Sequence, residues 1–71
     1  MSQIAFGIRV KEAREKLKAE YSDIAIFSQI TPERLALIEQ GKDKTINALE
    51  IKQLAFALGV TYSFLMFEKE N

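Results

Sequence analysis

The chain has 71 residues and a mass of 8.1 kDa, room for one domain with one core. It contains neither Cys nor His, which excludes disulfide frameworks, the usual zinc sites, thiol nucleophiles and every His-based acid/base pair. Ten Lys and Arg balance ten Asp and Glu, so any attraction to a polyanion must come from local asymmetry of charge.

Ser2 stands where it would cap a first helix, and Phe6, Val10, Ala13 and Leu17 recur with the 3.6-residue period of one buried stripe. That helix is predicted to run to about Lys18. Its segment carries Arg9, Lys11, Arg14, Lys16 and Lys18 against Glu12 and Glu15, a local net charge of +3. A second, two-turn helix follows, bounded by Glu20 or Ser22 and by Ser28-Gln29, with Ile24, Ala25 and Phe27 fitting one face. Thr31 as N-cap, Pro32 at the first helical position and Glu33 beside the positive helix end start a third helix, which stops near Gly41. Ile30 and Leu35 have the spacing of a hydrophobic staple over that cap, and Leu35 and Ile38 point inward.

Lys42 to Ile46 reads as a short polar loop. Asn47 and Glu50 form a capping-box pattern that opens a fourth helix, with Ile46 and Ile51 at staple spacing, Ile51, Leu54, Ala55 and Leu58 as its core face and Gly59 as its stop. Thr61 caps a fifth helix through about Phe67, with Tyr62, Leu65 and Met66 as inward candidates. Nothing alternates with period two, so the predicted fold class is all-α, five helices without a sheet, as a single domain over residues 1–71.

At 48% hydrophobic residues with three Gly and one Pro, the chain has the composition of a folded domain. A chain this short buries only roughly 60% of its unfolded surface, so a dimer partner or ligand would add useful stability. The apolar runs Ile24 to Phe27 and Leu54 to Val60 are far below a membrane span, and Met1 to Val10 lacks the apolar core of a signal peptide. A cytoplasmic protein with no membrane association is expected. No carboxylate pair has a base or nucleophile partner, no glycine-rich phosphate loop occurs and no ligand cluster suits a metal, so neither catalysis nor a cofactor is expected.

The second and third helices are joined only by Ser28, Gln29 and Ile30, the compact connection of a helix-turn-helix at about residues 21 to 40. On Arg14, the Ile24-Ala25 pair, Leu35, the run Ile38-Glu39-Gln40-Gly41 and the run Ala57-Leu58-Gly59-Val60, residues 6 to 67 resemble the five-helix, lambda-repressor-like domain of phage repressors, Cro proteins and related XRE-type bacterial regulators. The resemblance runs without a gap from Phe6 to Gly41. It implies a structural ion pair between Arg14 and Glu39, a third helix lying in the major groove of double-stranded DNA, and binding to operator DNA as a homodimer. By position it gives Pro32, Glu33 and Leu37 the base-facing places, with Thr31 at their head. Tyr21 takes the start of the second helix, and Arg34, Gln40, Lys42 and Lys44 take the places that hold the DNA backbone.

The chain departs from the family where Tyr21 replaces a frequent Gln, Glu20 a small polar cap, and Lys18 and Gln29 the turn glycines. Each residue also has a plainer reading. Glu33 stabilises a helix dipole or accepts a hydrogen bond from cytosine N4, and Leu37 is placed to touch a thymine methyl. Arg34, Lys42 and Lys44 are solvated charges or phosphate contacts, and Tyr21 leans on the first helix with its hydroxyl in water or reaches DNA. Phe64, Met66 and Phe67 seal the end of the domain or, as at least one of them should, form a dimer interface. Two functions from different classes remain open: a sequence-specific DNA-binding regulator, or a helix-turn-helix scaffold whose third helix binds a protein such as another regulator.

Overall fold

A computed structural model describes residues 3–67. Five helices follow in order: α1 (Gln3–Lys16), α2 (Tyr21–Ser28), α3 (Pro32–Glu39), α4 (Ala48–Leu58) and α5 (Tyr62–Phe67), with no strand among the described residues. The all-α, five-helix class read from periodicity is the observed one. The Ser2 cap lies outside the described residues.

Local chemistry sets most boundaries. Thr31 Oγ1 accepts the Arg34 backbone N–H at 3.2 Å, and Pro32 follows at the first helical position. At α4, Asn47 Oδ1 accepts the Glu50 N–H at 2.9 Å while Glu50 Oε1 accepts the Asn47 N–H at 3.1 Å, a closed capping box. Thr61 Oγ1 accepts from the Phe64 N–H at 3.0 Å and starts α5. At α2, Glu20 is the N-cap and Asp23 accepts its backbone N–H at 2.9 Å. Gly41 and Gly59 end α3 and α4 with φ of 74° and 71°. The N–H groups of Lys42 and Val60, one residue on, reach back to the carbonyls of Leu37 and Ala55, which satisfies backbone groups the helix would otherwise orphan.

The two turns without glycine adopt the same geometry. Lys18 has φ 56° and Gln29 φ 61°, both left-handed. Lys18 closes α1 as Gly41 closes α3, since the Ala19 N–H bonds the Arg14 carbonyl at 3.2 Å. α1 therefore ends at Lys16, short of Lys18, and Leu17 is carried into the turn, where it is 52% exposed instead of completing the buried stripe. Phe27, expected on the inward face of α2, is 62% exposed. The buried face of α2 is centred on Ile24 and Ser28, with Tyr21 and Ala25 partly buried beside them, which places Phe27 beyond the edge of that stripe.

The core gathers Phe6, Val10 and Ala13 of α1, Ile24 of α2, Ile30, Leu35 and Ile38 around the turn and α3, Ile51, Leu54, Ala55 and Leu58 of α4, and Leu65 of α5. Ile30 and Leu35 are both buried in this core, and the inward face read for α4 is complete. α2 lies against α4 and α1 against α3, with α5 closing over α1 and α4. Arg9 has left the surface. It is buried, donating from Nε to the Leu65 carbonyl at 2.6 Å and from Nη2 to the Met66 carbonyl at 3.2 Å, so it ties α5 to α1 and adds nothing to the surface charge counted for its segment.

Candidate nucleic-acid interface

A second buried charge sits where α1 meets the end of α3. Arg14 faces Glu39 through two parallel contacts, Nε to Oε2 at 2.6 Å and Nη2 to Oε1 at 3.0 Å, and its Nη1 donates to the Ala19 carbonyl at 3.0 Å. The Glu39 side chain is 3% exposed. Tyr21 completes the cluster, donating its hydroxyl to Glu39 Oε1 at 3.0 Å and stacking its ring under the Arg14 guanidinium, 4.4 Å from the ring centroid. The Glu39 hydrogen bond, against the opposing effect of burial, raises the Arg14 pKa; burial first and then the same carboxylate raise that of Tyr21. The cluster fixes the start of α2 against the end of α3, and so the angle of the helix-turn-helix. The Tyr21 hydroxyl is engaged here with the Glu39 carboxylate.

The outward face of α3 carries Glu33, Leu37 and Gln40, all exposed and spaced by four and three residues along one stripe, with Thr31 exposed and Pro32 half-buried at its head. Leu37 is 45% exposed. Lys42 and Lys44 are both exposed in the loop that follows. The structure therefore brings Thr31, Pro32, Glu33, Leu37, Gln40, Lys42 and Lys44 to α3 and its adjoining loop.

Arg34 occupies a different post from the backbone-holding one given it by position. Its Nε donates to Asp43 Oδ2 at 2.6 Å, its Nη1 to Glu50 Oε2, and its Nη2 to Glu50 Oε1 at 3.0 Å and to Thr45 Oγ1 at 3.2 Å. One guanidinium is enclosed by two carboxylates, so the group carries a net negative charge and the cation of α3 is engaged within the fold. The two anions raise the Arg34 pKa further. Burial pushes the Asp43 carboxyl up, but Arg34 and the two Thr45 donors outweigh it and leave it below the ordinary carboxylate range; Arg34 first, and then the Asn47 N–H, lower Glu50. Asp43, Thr45 and the second role of Glu50 escaped sequence reading. The Glu50 capping-box spacing was the one visible signal, and it points to Asn47, not to Arg34.

Of the three candidate dimer residues, Phe64 and Met66 are half-buried against the core and Phe67 is 60% exposed.

Over 61 residues, 86% of its length, the chain is 36% identical to RghRB of Bacillus subtilis (strain 168), described as an uncharacterized HTH-type transcriptional regulator. The likeness supports a helix-turn-helix regulator family. The chain spans 44% of that relative's length. No family model matches the chain, and no solved structure matches it. No helix among the described residues is long and apolar enough to cross a membrane.

Proposed function

We propose that the chain is the DNA-reading module of a Cro/repressor-type transcriptional regulator, entering the major groove with α3 and acting as a dimer on a two-fold related site. The observation that carries this reading is the unobstructed stripe Glu33-Leu37-Gln40 on a helix whose other face is locked into the core, with Lys42 and Lys44 immediately beyond it. A rigid helix with one free face and cations at its end has the form that groove reading requires. Its chemistry is unusual for a reader. Glu33 would accept from cytosine N4 and Leu37 would touch a thymine methyl, so discrimination would come from single contacts and from Gln40, and not from an arginine fork on guanine. The dimer would form through α5, with Phe67 at its centre and Phe64 and Met66 supporting it from the core side. Replacing Phe67 by Ser would then weaken self-association in sedimentation while leaving the helical content intact; a parent chain that stays monomeric at high concentration refutes the dimer.

A second reading is favoured by one specific observation, the enclosure of Arg34 by Asp43 and Glu50, which leaves Glu33 as the charge that α3 presents to solvent. An α3 face of Leu37 and Glu33 suits a protein partner, such as another regulator, better than a phosphate backbone. Selection from random duplexes near physiological salt decides between them. An enriched motif supports the DNA reader. Affinity no better than roughly 10⁻⁴ to 10⁻⁶ M with no motif, the non-specific level, refutes it and favours the protein-binding module.

A further inference from the structure

We infer that Arg34 is a positioning residue for DNA binding, one that never touches DNA and instead shapes the 42–47 loop so that Lys42 and Lys44 face the phosphates. The inference rests on the DNA reading above. Its starting point is the way one side chain on the first turn of α3 gathers the whole connection to α4. Nε holds Asp43, one residue into the loop, Nη2 holds Thr45 at its middle, and both terminal nitrogens hold Glu50 in the first turn of α4. Each anchor is braced in turn. Asp43 Oδ1 accepts the Thr45 N–H at 2.7 Å and the Thr45 hydroxyl at 2.8 Å, and Glu50 Oε1 accepts the Asn47 N–H.

The consequence is a direction for the loop. The Asp43 side chain is 6% exposed, turned inward onto Arg34, while Lys42 and Lys44 on either side of it are exposed. The loop is also held at its start by the Lys42 N–H on the Leu37 carbonyl and near α4 by Ile46 packed on the core, and between these the Arg34 network ties Asp43 and Thr45 to Glu50. A long lysine on an unrestrained segment loses more freedom on contacting a phosphate than one held in place. A guanidinium suits this role because its planar fork presents five donors in fixed directions, whereas an ammonium at the same place is a point charge that cannot span Asp43, Thr45 and Glu50 together.

The test compares Arg34→Lys, which keeps the charge, with the parent and with Thr45→Val, which removes one brace without changing charge. Amide hydrogen exchange in the free protein comes first. Arg34→Lys should speed exchange at Thr45 and Asn47 at least tenfold with the core amides of α1 and α4 unchanged, and Thr45→Val should speed Asn47 exchange to a smaller degree. DNA binding to the selected duplex follows, as a cycle with Lys42→Ala/Lys44→Ala. In the parent background Arg34→Lys should lower affinity and reduce the salt slope by up to about 1.8, the value for two phosphate contacts at about 0.9 each. In the double-alanine background it should change neither. Equal losses in both backgrounds would mean that Arg34 touches the DNA itself, and would overturn the inference. Unchanged Thr45 exchange overturns it whether or not DNA binds. A parent with no DNA affinity but faster exchange in Arg34→Lys overturns the preceding proposal and the role on DNA with it, and the exchange result tells this apart from a loop that Arg34 does not order.

Discussion

Gly7 on α1 lies so close to the last turn of α3 that a β-carbon on it would sit 2.4 Å from the carbonyl oxygen of Ile38. The carbonyl oxygen and carbon of Glu39 would follow at 2.7 and 2.9 Å. These are backbone atoms, and they belong to the turn whose next residues form the left-handed cap at Gly41. Nothing there can yield without moving the end of α3. The missing side chain is what lets α1 and α3 approach closely enough for Arg14 to reach Glu39.

Gly7→Ala should therefore destabilise the domain even though Ala favours a helix over Gly by about 1 kcal/mol. Overpacking of this kind costs roughly 1–3 kcal/mol, and here the displaced atoms are backbone, so the upper half of that range applies. Urea denaturation of the variant checks it. A variant as stable as the parent or more so would mean that α1 can shift off α3 freely.

The Arg14–Glu39–Tyr21 cluster yields a pair of graded losses. Glu39→Ala leaves the Arg14 guanidinium part-buried without its anion, and should lower stability by about 3 kcal/mol, the lower end for a broken buried pair. Tyr21→Phe keeps the ring under Arg14 and loses only the hydrogen bond to the carboxylate, so about 1.5 kcal/mol is expected. The phenol also sets a pH limit. Because the folded state raises the Tyr21 pKa above its unfolded value of about 10, its contribution is complete below that pH and is lost as pH rises through the folded value. The stability of the parent should fall more steeply above pH 10 than that of Tyr21→Phe, and matching alkaline profiles in thermal melts would contradict the role given to the hydroxyl.

Much of the fold was legible because the signals that made it so are local. Thr31-Pro32, Asn47 with Glu50, and Gly41 and Gly59 act within four residues of themselves, and the buried stripe of α4 has enough length for its period to decide. Leu17 and Phe27 were misplaced because a stripe says nothing about where a left-handed turn cuts it off, and a two-turn apolar helix has no face its sequence prefers. The buried charges were harder still. Arg9 bonds carbonyls 56 and 57 residues away, and Arg34 finds Asp43 and Glu50 nine and 16 residues on, so composition counts both as surface cations when neither is. The Arg14–Glu39 pair was visible in advance only because a family resemblance supplied the long-range pairing that spacing lacks.

The turns at Lys18 and Gln29 hold non-glycine residues in the left-handed region, at φ 56° and 61°. An L-residue there costs roughly 1–2 kcal/mol, of which Gly would return most, less the 0.4–1 kcal/mol by which its freer unfolded chain opposes folding, as a rough guide. Lys18→Gly and Gln29→Gly should each raise stability by about 0.5–1 kcal/mol, additively, since they end different helices. Chemical denaturation midpoints of the two singles and the double would show it. Falling midpoints would mean that these side chains make contacts that outweigh their backbone strain.

The division of labour proposed for the α3 face leads to opposite effects of charge changes on its two ends. If Lys42 and Lys44 hold phosphates, Lys42→Ala/Lys44→Ala should weaken binding to every duplex alike and lower the salt slope by about 0.9 for each phosphate no longer held. Specificity should survive. Glu33→Gln acts at the other end, beside the start of α3, where a carboxylate near phosphates repels and an amide does not. The variant should bind non-specific DNA more tightly, and because Gln prefers adenine N6/N7 where Glu accepts from cytosine N4, the favoured base at that position should change. Selection from random duplexes with the parent and the Glu33→Gln variant, followed by titrations at several salt concentrations with the lysine variant, measures both. If Glu33→Gln leaves the motif unchanged, Glu33 serves the helix dipole alone. If the lysine variant shifts the motif instead of the slope, the assignment of holding and reading residues is the wrong way round.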